Sequence, residues 1–290
     1  MAAFFAIVTA ATLWGLSGTV AKYLFIHAVP PFILVEIRMG LAALVLLATL
    51  AVFRPTLLRI SWRDLPYLMI LGGIGMAGVQ FTYLFTISQT NVGTAIFLQY
   101  LAPILVFSYA ALFQRARIPG LGWLSLAVAM AGSFFLIFGE PGLRLAVSPL
   151  GLTTGVLSAC FFAFYTLYGK HGVKRLSPWT ILTYALAFGA LFWSVIAPPW
   201  KVLSLAWYHP QWPLFFFIAI FATVLPFGLY LWGLQQLHAA VATVTAILEP
   251  LVGTVSAFLI LSEVMTPLQI MGGIGILIAV TILQLAPEIT

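Results

Sequence analysis

The sequence predicts an all-α membrane protein of ten transmembrane helices arranged as two inverted five-helix repeats, and three observations carry that expectation. Of its 290 residues, 63% are hydrophobic and 6% charged, against about 25% charged in a soluble domain, so no soluble fold of this size could cover itself with polar surface. Apolar stretches of about 20 residues, the length that crosses the hydrocarbon of a bilayer, recur ten times and leave no room for a soluble domain. Finally, one ungapped shift of 147 positions, Pro31 onto Pro178, also brings Tyr83 and Leu84 onto Tyr230 and Leu231, Gln89 onto Gln236 and Pro103 onto Pro250. Five spans per half is an odd number, so the second half enters the bilayer from the opposite side and the repeat is inverted. The halves are residues 1–146 and 147–290.

Breaks at proline, glycine and charge clusters place the elements in order. The first span, 3–25, lacks a basic start and a small-x-small exit, so it reads as a retained helix rather than a cleaved leader, and it carries Trp14. The second, 32–53, holds Glu36 and Arg38. Two positions apart, they point about 200° apart on one helix and form no intrahelical pair; Glu249 or a helix C-terminus is the expected partner for Arg38. The third, 65–87, sets Met76, Gln80 and Tyr83 on one face, which must turn inward because an amide against lipid is costly. Its run Gly73-Ile74-Gly75-Met76-Ala77-Gly78 matches a dinucleotide-binding fingerprint only formally, with no strand before it and no acid about 20 residues on, so the glycines read as close helix packing.

The fourth span, 92–113, places Gln99 and Tyr100 before Pro103, whose missing N–H loosens the helix near its middle. The fifth, 119–138, ends the first half. The sixth, 149–169, carries Phe161, Phe164, Tyr165 and Tyr168 at i, i+3, i+4 and i+7, one aromatic stripe in which Trp14 is the repeat mate of Phe161. Cys160, the single cysteine, lies beside it, so neither an intramolecular disulfide framework nor a thiolate metal site can be built. The seventh, 178–198, starts at Pro178; the eighth, 213–234, aligns Thr223, Phe227 and Tyr230; the ninth, 239–261, contains Glu249 and Pro250; the tenth, 267–286, is rich in glycine.

A formal charge of +6 and a pI near 9.6 would point to nucleic acid in a soluble chain. Here the basic residues are scattered between apolar runs, so they set topology and no nucleic-acid partner is expected. With the N-terminus inside, Arg54, Arg59, Arg63, Arg115, Arg117, Lys170, Lys174 and Arg175 fall in cytoplasmic loops, against Lys22, Arg144 and Lys201 outside, a bias that places both termini in the cytoplasm. Arg38 is within the second span. Glu249 has Ala102 as its repeat mate, so the repeat architecture does not demand the charge. An ionisable group at mid-span costs on the order of 3 kcal/mol and is a candidate for function; the structural alternative is a neutral carboxyl bonded to Thr245, four residues earlier on the same face.

Several short motifs fall in a recognisable order: Thr12-Leu13-Trp14-Gly15, Arg38-Met39-Gly40-Leu41-Ala42-Ala43-Leu44, Leu101-Ala102-Pro103, Leu248-Glu249-Pro250-Leu251, Leu261-Ser262-Glu263, and Gly272, Gly273 and Gly275 in the last span. On these the chain resembles an EamA-type member of the drug/metabolite transporter superfamily, along nearly its whole length. More narrowly, it is similar to bacterial aromatic amino-acid and methyl viologen exporters. The resemblance implies an inner-membrane carrier with spans one to four and six to nine around a central cavity and spans five and ten at the periphery. It implies export of small, partly apolar metabolites, aromatic or hydrophobic amino acids, by alternating access. Export of organic cations is the alternative, since aromatic faces and Glu249 suit a cation.

An enzyme alternative rests on Gly15-Leu16-Ser17-Gly18, which is similar to the serine motif of rhomboid-type intramembrane proteases. Such chemistry needs a base beside the serine, whereas His27, His171, His209 and His238 fall at span ends or in loops. The expected substrate site puts an apolar side chain against Trp14, Phe161, Phe164, Tyr165 and Tyr230, with Met76 on the same inward face as Gln80. The polar end of the substrate meets Gln80, Tyr83, Gln99 or Tyr100, and Arg38 and Glu249 supply intramembrane charge. No metal or cofactor is expected; the partners are the small-molecule substrate and the lipid bilayer.

Overall fold

The computed structural model describes residues 1–139, 148–200, 202, 211–261 and 265–286; Arg144, Lys201, His209, Ser262 and Glu263 lie outside the described residues. Ten helices long and apolar enough to cross a membrane follow one another: α1 (Ala2–Ile26), α2 (Pro31–Phe53), α3 (Leu65–Gln89), α4 (Val92–Leu112), α5 (Gly120–Phe138), α6 (Pro149–Gly172), α7 (Pro178–Ile196), α8 (Trp212–Gln236), α9 (Ala239–Ala246 continued by Leu248–Leu261) and α10 (Pro267–Leu285). No strand occurs among the described residues. The fold is therefore all-α and the protein crosses the membrane many times, as its composition requires. Large apolar side chains such as Leu44, Leu191, Leu259 and Met271 stand on its outer surface, where lipid is the solvent.

Local chemistry sets the ends of the helices. Proline occupies a first-turn position in α2, α6, α7 and α10, where its missing N–H costs nothing. Side chains satisfy the orphan donors elsewhere: Asn91 accepts from the Thr94 N–H, Ser148 from Gly151, and Thr266 forms a reciprocal capping box with Gln269.

Prolines also break two spans. Pro103 and Pro250 each deprive the carbonyl four residues earlier of its helical donor, and the first pieces of α4 and α9 end at those residues, Gln99 and Ala246. The third helix of each half is distorted too, with a π turn at Leu71–Met76 in α3 and at Ile220–Val224 in α8.

Small residues govern packing, as they must where lipid tails remove any hydrophobic drive between helices. A Cβ on Gly72 would lie 2.6 Å from the Ala185 carbonyl oxygen of α7, and one on Gly132 would lie 2.8 Å from the Gly272 carbonyl oxygen. Along that second seam α5 and α10 run against each other, with the Ser125 hydroxyl donating to Ala279 O at 2.7 Å. Gly75 and Gly78 sit against Phe164 and Phe161 of α6. The glycine run in α3 is thus packing surface for α6 and α7.

One set of polar links between the halves lies at the end of the bundle that carries Arg59 and Arg175. There the Tyr67 hydroxyl donates to Tyr168 O at 3.0 Å, Arg175 pairs with Asp64 at 3.3 Å, and Tyr184 donates to Leu58 O at 2.6 Å. At the same end the Lys170 ammonium donates to Leu234 O and Leu237 O at 2.7 and 2.9 Å, closing the last turn of α8 as a cation does at a helix C-terminus.

Candidate functional site

Where α1, α2, α3, α4, α6, α8 and α9 converge, they leave one cavity with about 30 Å³ in which a water-sized sphere can be centred, room for a few waters. The floor is aromatic: Trp14 meets Phe227 edge-on at 5.0 Å and Tyr230 at 5.6 Å, while Phe162 stacks on Tyr230 at 5.5 Å. The walls are polar. Gln99 and Gln80 are almost fully buried, with Gln99 Oε1 accepting from Ser158 at 2.7 Å and the Gln80 amide reaching the Met76 sulfur at 3.5 Å.

Two ionisable side chains, one basic and one acidic, face this space, one from each half. Glu249 stands in the first turn of the second piece of α9, where the interrupted helix presents the positive end of its dipole. Its Oε2 accepts from the Tyr100 hydroxyl at 2.7 Å and its Oε1, more loosely, from Tyr83 at 3.4 Å. Arg38 is held on the opposite side: Nε donates to Thr223 Oγ1 and Nη2 to Ala222 O, both at 2.6 Å. Neither charge forms an ion pair among the described residues, where Asp64 and Arg175 form the recorded one.

This arrangement differs from the expected one in ways that have local causes. Arg38 bonds to the π turn of α8 and not to Glu249 or a helix terminus, because Pro226 has no N–H to give the carbonyl four residues before it and so leaves Ala222 O for the guanidinium. Thr245 does not bond Glu249; it donates to Val241 O at 2.8 Å, since the break at Ile247 destroys the i, i+4 relation. The aromatic stripe of α6 divides. Phe161 and Phe164 pack on α3, Phe164 stacking on Tyr168 at 5.1 Å, whereas Tyr165 turns to meet Phe227 edge-on at 5.6 Å.

Trp14, Arg38, Gln80, Tyr83, Gln99 and Glu249 line the cavity. Tyr100 and Tyr230 form its buried backing, Tyr230 sharing a hydrogen bond with Thr166 at 2.9 Å, and Met76 lies behind Gln80. Sequence reasoning passed over Phe162, which lines the cavity. The signal for it was polar: Ser158, Phe162 and Tyr165 repeat at i, i+4 and i+7, and Ser158 is the residue that bonds Gln99. Ser17 also lines the cavity, but its hydroxyl donates to Trp14 O at 2.8 Å. The described contacts of His27, His171 and His238 are with Tyr23, Tyr67 and the Ala240 N–H, away from that serine.

The EamA-like transporter family matches residues 1–138 and again residues 149–285. The chain belongs to that family. Among relatives of this transporter, the uncharacterized inner membrane transporter YicL of Salmonella typhimurium is 29% identical over 290 residues, covering 96% of this chain and 94% of that protein. The threonine/homoserine exporter RhtA of Escherichia coli is 28% identical over 267 residues, covering 90% of this chain and 84% of that one. A solved crystal structure shares the fold at a TM-score of 0.77 and 18% identity, over 98% of this chain and 96% of the other. The protein is a multi-pass membrane transporter for small molecules, and its family members are transporters, not enzymes.

Proposed function

We propose that the transporter resides in the bacterial inner membrane with both termini cytoplasmic and exports aromatic or hydrophobic amino acids by alternating access. The observation that carries this reading is a cavity between the halves that joins an aromatic floor to a basic and an acidic side chain, Arg38 and Glu249, which form no ion pair with each other. A zwitterion has a charge for each, and its side chain has Trp14, Phe162 and Phe227 to lie against. Burying about 100 Å² more apolar side chain is worth roughly 2.5 kcal/mol, so the floor favours Phe, Trp, Leu or Met over Asp. Amino-acid export by a relative, the threonine/homoserine exporter RhtA, supports the class. A permanent organic cation is the weaker reading, because the cavity that offers it Glu249 also sets Arg38 against it.

Alternating access draws support from features that recur between the halves: the family matches twice, the third helix of each half has a π turn, and the fourth breaks ahead of a proline. We read the halves as 1–146 and 147–290, inverted with respect to each other. The cavity has room for a few waters only, so its walls must part to admit a substrate. Counterflow in proteoliposomes decides the reading: exchange of trapped leucine and phenylalanine for external label, with little exchange of aspartate, is the expected result. A protein that exchanges none of them, but exchanges methyl viologen, overturns it.

A further inference from the structure

The guanidinium of Arg38 is anchored along only one edge. Nε and Nη2 donate to Thr223 Oγ1 and Ala222 O, while Nη1 makes no hydrogen bond to any described residue. Nη1 is not among the buried polar atoms lacking a partner, so it abuts the open space of the cavity that Arg38 lines. A guanidinium has two edges from which paired N–H groups project in parallel, each matching a carboxylate. One edge is thus spent on orientation and the other faces the cavity.

What holds the first edge is specific. Pro226 withholds a helical N–H from Ala222 O, and the π turn at Ile220–Val224 sets that oxygen and Thr223 Oγ1 side by side. The corresponding position in the other half is Ala185, packed on Gly72. Among the described residues a guanidinium clamps the π turn at this crossing, whereas at the other the polar link is the Trp193 indole N–H to Ala77 O at 3.3 Å.

From this geometry we infer that Arg38 reads the carboxylate of the substrate through its free Nη1/Nη2 edge, and that Pro226 and Thr223 are the positioning residues that aim it. The inference rests on the amino-acid reading above and assigns the carboxylate end. It makes the cavity a reader of zwitterions: an amino acid whose carboxylate is replaced by a carboxamide keeps its ammonium and side chain but has no anion for Arg38.

The test compares L-leucine with L-leucinamide in counterflow by the full-length protein in proteoliposomes. Charge-assisted hydrogen bonds of this kind set an expected preference for leucine of about tenfold to a hundredfold. In Arg38→Gln, checked for monodispersity after purification, that preference should fall to near unity while leucinamide transport persists; a preference kept at the parent's value overturns the inference. Pro226→Ala restores a competing N–H for Ala222 O, and Thr223→Val removes the acceptor for Nε. Each should raise KM for leucine about two- to tenfold with the maximal rate and the KM for leucinamide unchanged, and these two variants decide the matter if Arg38→Gln does not fold. Unchanged KM for leucine in both overturns it. A parent protein that exchanges no amino acid refutes the transport reading instead. Carboxylate reading then stands or falls on whether leucine, and not leucinamide, raises the thermal stability of the purified protein.

Discussion

Gly15 is where helix packing and the site meet, so Gly15→Ala tests both. A Cβ there would lie 2.6 Å from the backbone oxygen of Glu249, 3.0 Å from the Gly253 N and 3.1 Å from the Val252 Cβ. Two of these neighbours are backbone atoms and cannot swing aside, so α1 and α9 must part by several tenths of an ångström beside the residue that supplies the carboxylate. Overpacking of this kind costs about 1–3 kcal/mol, of which the better helix propensity of alanine offsets at most about 1 kcal/mol. Gly40, in α2, and Gly73, in α3, have open space where a Cβ would go. Gly40→Ala and Gly73→Ala should therefore be neutral or stabilising by up to about 1 kcal/mol. Thermal unfolding of the three variants in one detergent, with KM from counterflow, separates the outcomes: Gly15→Ala melts lower and has a raised KM, and the other two melt at or above the parent. A Gly15→Ala protein as stable as Gly40→Ala, with the parent's KM, would refute the claim that the α1–α9 contact sets the position of Glu249.

Three further predictions concern other parts of the molecule. Tyr67→Phe removes the hydroxyl that ties α3 to Tyr168 O, a bond worth about 0.5–1.5 kcal/mol; labelling of a cysteine placed at buried Thr166, in a Cys160→Ser background, should rise about two- to tenfold, and unchanged labelling would show that this link does not hold that end closed. His238 caps α9 by accepting from the Ala240 N–H at 3.2 Å, and burial, with Lys170 nearby, holds its ring below the usual imidazole range. The unfolded chain then takes up the proton first, so this stability is present above about pH 6.5 and is lost as pH falls below it; His238→Asn, which keeps a capping acceptor, should flatten the fall in Tm between about pH 7.5 and 5. If Glu249 titrates during transport, Glu249→Gln should fold and abolish any dependence of transport on a pH gradient, and pH-driven uptake equal to the parent's would remove Glu249 from any coupling role.

Composition and period made the ten helices legible in the sequence because both follow from the bilayer itself: each span must be about 20 residues and apolar, and its ends must carry proline, polar caps or charge. The breaks in α4 and α9 were legible for the same reason, since Pro103 and Pro250 act on their own helices. The site was legible where a buried polar group advertised itself, as Gln80, Gln99, Arg38 and Glu249 do. It was obscured where facing depended on a neighbour. Phe161 and Phe162 are adjacent and both aromatic, and only the glycine at position 78, which Phe161 fills, decides which of the two turns to the cavity. The π turns were not foreseen at all, because a register shift inside an apolar run leaves the hydrophobic pattern intact.

That last failure bears on how a repeated architecture acquires chemistry. The two family matches each contain one broken and one distorted helix, but equivalent positions alone would give a site of matching polarity on both sides. The asymmetry in ionisable groups comes from two differences across the repeat, Arg38 opposite Ala185 and Glu249 opposite Ala102, beside neutral ones such as Gln80 opposite Phe227 and Gln99 opposite Ala246. Each charge is placed at a backbone irregularity of the other half or of its own, Arg38 on the carbonyl that Pro226 leaves without a donor and Glu249 at the start of the helix that follows Ile247. A buried charge without a counterion is expensive, and these irregularities, with the hydroxyls of Thr223, Tyr83 and Tyr100, are the polar groups set against the two side chains. The backbone therefore gives Arg38 and Glu249 partners of their own at one cavity, so the bundle holds a basic and an acidic side chain there without pairing them with each other.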